Sequence, residues 1–207
     1  MATPHIADLI VLAVRLVNAG QRERARIVCE QAVAAYPAHP AVHQMLAVLD
    51  MQAGLPAQAC IHAALSLKLR PDHVPTLLVL GDAALAQRDR AAASQALEHA
   101  VVLAPDQAEA WFKVSLVRQD LGDVGGAIQA LERVLALNPD RVDALVNLGI
   151  VLQEAGRLDD ALRAYGHAYR RREETFGRIA HALATPATGR LFLNLDDLRA
   201  ELLRAAA

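Results

Sequence analysis

Histidine is the residue type best suited to metal or acid–base chemistry in this chain, and His39 with His43 has the i, i+4 spacing of a metal-binding pair. Pro40 lies between them, however. It places His39 before the helix it opens and His43 at a packing position, so no metal pair is expected. Cys29 and Cys60 are too few and too far apart for a zinc cluster or a disulfide framework, and both read as inert thiols in a reducing compartment. The run Arg170-Arg171-Arg172, followed by Glu173 and Glu174, reads as a solvated helix face rather than a phosphate site. No G-x-S-x-G, P-loop or H-E-x-x-H motif is present. These residues predict neither catalysis nor a cofactor or metal.

The elements that would position any site are set by a period. Pro37, Pro71, Pro105 and Pro139 are each separated by 34 residues. With each proline at position 32 of a unit, units start at Ile6, Pro40, Val74, Ala108 and Val142, and other positions fall into register. Position 20 is Ala25, Ala59, Ala93, Ala127 and Ala161, and position 8 holds Ala13, Ala47, Gly81, Ser115 and Gly149. Small side chains there let two helices approach closely. Position 7, with Leu12, Leu46, Leu80, Val114 and Leu148, reads as a core column. Position 15 holds Gly20, Gly54, Gly122 and Gly156, where a residue of positive φ ends the first helix, with Arg88 at that place in the third unit. Helices of about 14 residues are marginal alone, so stacking of hairpins must supply their stability.

The pattern resembles the tetratricopeptide repeat (TPR) family, whose period of 34 and W-x2-L-G-x2-Y, A-x3-F, P signature it shares in part. The fourth unit matches best, from Ala108-Glu109-Ala110-Trp111 through Gly122-Asp123 and Ala127-Ile128 to Leu137-Asn138-Pro139. Departures occur at position 11, with Asp50 and Arg118 among its residues, and at position 24, where Tyr165 alone is aromatic. They predict weaker core packing in the second and third units. The resemblance implies an all-α, right-handed superhelical solenoid of antiparallel helix hairpins with a C-terminal capping helix. Its expected organisation is five repeats in 1–175 (6–39, 40–73, 74–107, 108–141 and 142–175). Residues 176–184 should continue the last repeat helix, because Glu173 replaces proline, and 185–207 should form a linker and a C-terminal helix.

Family members bind partners mainly at positions 2, 5, 6, 9, 12 and 13 of the concave face. Here those positions are largely apolar. The partner-binding residues they predict are Ile10, Val14, Met45, Val48, Leu78, Phe112, Lys113, Leu116, Asn147 and Ile150. An apolar stripe of that length exceeds what a monomer normally exposes. Relatives that clamp a carboxylate tail need lysines and asparagines that no three consecutive units supply, and relatives that use an asparagine ladder need more than Asn147. The resemblance therefore implies a scaffold or adaptor whose groove takes an apolar or amphipathic segment of a protein or peptide partner. A second reading fills the groove with the chain's own C-terminal helix, or with a second copy in a homo-oligomer.

Thr185 to Gly189 reads as a stop, Arg190 to Leu193 as extended, and Asn194 as the N-cap of a short helix with Leu195, Leu198 and Leu202 on one face. A net charge of −2 offers no field for nucleic acid or anionic lipid. The apolar stretch from Ile6 to Val17 lacks a basic flank and is interrupted by Asp8 and Arg15, so it reads as neither signal peptide nor membrane insertion. A soluble, cytoplasmic protein is expected.

Overall fold

The computed structural model describes residues 5–184 and 194–205, and these contain helices and turns without a strand. The chain divides into two compact units, Met1–Ala104 and Pro105–Ala207. In the first unit, α1 (Ile6–Asn18), α3 (Pro40–Gln52) and α5 (Val74–Ala86) pair with α2 (Arg22–Ala35), α4 (Pro56–Leu69) and α6 (Arg90–Leu103), respectively. In the second, α7 (Ala108–Asp120) pairs with α8 (Val124–Leu137) and α9 (Val142–Glu154) with α10 (Leu158–Arg171). Two shorter helices follow, α11 (Phe176–Ala184) and α12 (Leu195–Ala205). Within each unit the second helix of one pair packs on the first helix of the next, α2 on α3 and α4 on α5, then α8 on α9.

One backbone device closes every hairpin. Gly20, Gly54, Gly122 and Gly156 have φ between 72° and 76°, and the next residue donates its N–H to a carbonyl in the last turn of the first helix, as from Leu55 to Asp50 at 2.8 Å. Arg88 makes the same turn at φ 60°, and Asp89 donates to the Ala84 carbonyl at 2.9 Å. A side chain in this region costs about 1 kcal/mol. Asp89 and Asp123 then cap α6 and α8 by accepting from the amides of Ala92 and Gly126 at 3.0 and 2.9 Å.

The alanine column at position 20 is wholly buried: Ala25, Ala59, Ala93, Ala127 and Ala161 are each 0% exposed. Position 8 works by exchange of volume with position 24. A methyl group added at Gly81 would lie 2.6 Å from the side chain of Leu97, and one at Gly149 would lie 2.3 Å from the ring of Tyr165. Leu97 and Tyr165 are each 0% exposed, so the contact between positions 8 and 24 is tightly filled in the third and fifth pairs. The core column at position 7 is buried at Leu46 and Val114 and half-buried at Leu80 and Leu148, whereas Leu12 is 45% exposed.

The expected continuation of the last repeat helix through 176–184 is corrected by the structure. The second helix ends at Arg171, Arg172 is extended at φ −151°, and a 3-10 turn over Glu173–Thr175 leads into α11. Tyr36, Arg70, Ala104 and Asn138, which precede proline at the ends of the other second helices, have φ between −136° and −144°. The helix therefore stops at the same place without proline. Packing replaces it. Thr175 is buried and donates from Oγ1 to the Arg172 carbonyl at 2.7 Å, Phe176 packs on Tyr169 with ring centroids 5.7 Å apart, and Ile179 and Leu183 join the core of the unit. A straight helix would leave those apolar side chains in water.

The tail helix α12 packs against α10 and buries Leu198 and Leu202, while Leu195 stays exposed. Asn194 caps it by accepting from the Asp197 amide at 2.7 Å. The stop and extended stretch expected at 185–193 lie outside the described residues.

Candidate functional site

The first helices carry the predicted partner-binding residues because a helix that buries positions 8 and 11 against its own hairpin turns positions 5, 9 and 12 onto the adjoining flank, about a quarter turn away. In the first unit this face holds a concave cavity of about 230 Å³ between α1 and α3. Ile10, Val14, Met45 and Val48, four of the predicted residues, line it, with Val17 and Gln44 beside them. Each lining residue sits at a position where the resemblance places binding residues. Val14 is 44% exposed, and Val11 next to it is also exposed. Leu78 lies half-buried on α5.

The second unit presents the same positions differently. Phe112 on α7 is not bare: the Arg141 guanidinium lies 4.2 Å over its ring and pairs with Glu109 and Asp143 at 2.8 and 3.0 Å. Lys113 pairs with Glu109 at 3.2 Å. Leu116 on the same helix, and Asn147 and Ile150 on α9, are half-buried. Val146, at position 5 of α9, is 0% exposed, and Gln153 at position 12 donates from Nε2 to the Ala182 carbonyl of α11 at 3.0 Å. Tyr165 Oη donates to Gln153 Oε1 at 3.3 Å, and burial pushes the phenol well above its ordinary range. Thus α11 reaches α9, while α12 occupies α10; the chain's own tail helix does not take the groove position that the second reading assigned to it.

Sequence reasoning missed a charged cluster in the first unit. Asp50, 1% exposed, accepts from Arg26 Nη2 and from His62 Nδ1, each at 2.7 Å, and the His62 ring lies 6.2 Å from that of His43. The available signal was a carboxylate at a core position, which requires buried partners. His43 donates from Nε2 to the Pro37 carbonyl at 2.8 Å, and its Nδ1 is buried without a partner. Among the described residues no three His, Cys, Asp or Glu side chains are grouped to hold a metal. Burial pushes the Cys29 thiol up to about 11, so the thiol form persists at neutral pH, and burial also raises Cys60. No helix among the described residues is long and apolar enough to cross a membrane.

Comparison with known proteins places this arrangement. Two tetratricopeptide repeat family models match residues 80–146 and 119–184, together about half of the chain. Similar solved structures include MamA 41-end from Desulfovibrio magneticus RS-1, at a TM-score of 0.77 and 20% identity over 84% of this chain and 98% of that one. YrrB, described as a TPR protein with an unusual peptide-binding site, gives a TM-score of 0.75 at 18% identity, covering 84% of this chain and 89% of that one. The hairpin array is thus a TPR solenoid, a class of protein-interaction scaffold. The chain belongs to the tetratricopeptide repeat family. A curated relative, the probable biofilm formation methyltransferase WspC of Pseudomonas putida, is 34% identical over 94 residues, which is 45% of this chain; the chain spans 22% of that relative's length.

Proposed function

We propose that the first unit binds an amphipathic or apolar peptide segment of a partner protein on the face formed by α1 and α3. One observation carries this reading: an apolar cavity of about 230 Å³ lies where Ile10, Val14, Met45 and Val48 converge. YrrB, which shares the fold, is described as having a peptide-binding site of its own, and a helix laying apolar side chains at i, i+3 and i+4 spacing suits such a cavity. Within the first unit Leu78 on α5 extends the same register. In the second unit Phe112, Lys113, Leu116, Asn147 and Ile150 hold the corresponding positions and are proposed as a face of their own.

Selecting amphipathic helical peptides from a displayed library tests the assignment. Val14→Asp is expected to weaken the selected binders at least about tenfold, because a carboxylate pressed against apolar contacts loses its hydration. Its melting temperature and circular dichroism should match those of the parent. A collapse in melting temperature would show that Val14 belongs to the core, and undiminished binding would move the site elsewhere.

A further inference from the structure

Trp111, the fourth residue of α7, donates from Nε1 to the carbonyl of Pro105 at 2.9 Å. His43, the fourth residue of α3, donates from Nε2 to the carbonyl of Pro37 at 2.8 Å. In both pairs the acceptor is the proline six residues upstream, so each ring seals the turn that enters its hairpin. The fourth residue of α5 is Leu77, an aliphatic side chain without a donor, and by the same register Pro71 stands where Pro37 and Pro105 stand. Beside Leu77 lies an open cavity of about 450 Å³, floored by Leu67, Pro71, Leu80 and Ala96 with exposed Gln95 and His99 at its edge. That volume falls within the range of small-molecule sites.

We propose that this cavity binds a planar aromatic ring carrying an N–H donor, an indole, stacked on Leu77 and Leu80 with its N–H on the Pro71 carbonyl. The ligand would take the place that Trp111 and His43 fill from within the chain. The site is separate from the peptide face on α1 and α3 and stands or falls without it. Free indole and a tryptophan side chain present the same ring.

The test is a titration of the isotope-labelled full chain with indole, followed by backbone amide shifts. Saturable shifts centred on Leu77, Leu80 and Ala96 are expected. Absence of saturable shifts, or shifts confined to other helices, would overturn the site. Leu77→Trp, which copies Trp111, should weaken indole binding at least about tenfold while the chain melts higher. Ala92→Leu, which narrows the same cavity, serves if that variant misfolds, and undiminished binding in the folded variant refutes the proposal. Capping the donor in 1-methylindole should weaken binding about fivefold, the scale of one neutral hydrogen bond. Equal affinities would remove the Pro71 carbonyl from the site. Both outcomes with N-acetyltryptophanamide support the site: tighter binding than indole marks a peptide side chain as the ligand, and weaker binding marks a free indole.

Discussion

At position 11 of its second pair, the first unit buries Asp50 and holds it with Arg26 and His62. At the same position of the last pair, the second unit buries Leu152 in the apolar cluster that contains Tyr165. The units also treat their first helices differently. The cavity between α1 and α3 is open, whereas Val146 on α9 is fully enclosed and Gln153 is tied to α11. A single repeat register thus accommodates a charged core beside an open face and an apolar core beside a covered one. The period specifies where helices begin and end, while the residues at the remaining positions decide which faces stay free.

The largest expected effect comes from breaking the charged core. Arg26→Ala leaves Asp50 buried with one donor fewer and should destabilise the first unit by about 3 kcal/mol, read as a shift in chemical denaturation midpoint. A loss near zero would mean that water replaces the guanidinium. Next is the exchange of volume between helices. Gly149→Ala meets the rigid ring of Tyr165 and should cost about 2 kcal/mol. Gly81→Ala meets the more pliable Leu97 and should cost less; the reverse order would show that ring rigidity does not set the penalty. Arg88→Gly relieves the positive φ and should stabilise by about 1 kcal/mol. The smallest effect is expected from Glu173→Pro. If packing already bends the chain at Arg172, the change should stay within about 1 kcal/mol, and a larger loss would show that the Glu173 amide matters.

The helical hairpins were legible because their marks are local. Gly54 and Gly122 announce turns, and Ala59 and Ala127 announce close approach, whatever surrounds them. Four members of the candidate site, Ile10, Val14, Met45 and Val48, were legible for the same reason, since a helix fixes which residues share a face. What could not be read depends on contacts distant in sequence. The bend at Arg172 arises from Phe176, Ile179 and Leu183 finding the core, and no residue at the bend itself signals it. The partners of Asp50 lie on two other helices, so a carboxylate at a core position read only as a departure from the pattern. The tie from Gln153 on α9 to the Ala182 carbonyl of α11 depends on that same bend.

The main interfaces in each unit join helices that are neighbours or next-neighbours in the chain. Contacts of short sequence separation form quickly, since little loop entropy is lost in bringing them together. Within each unit the polypeptide can therefore assemble in the order in which a ribosome releases it, each new hairpin settling on the one before it. A defect in an early hairpin, such as the loss of Arg26, would then be inherited by the surface on which its successor must settle.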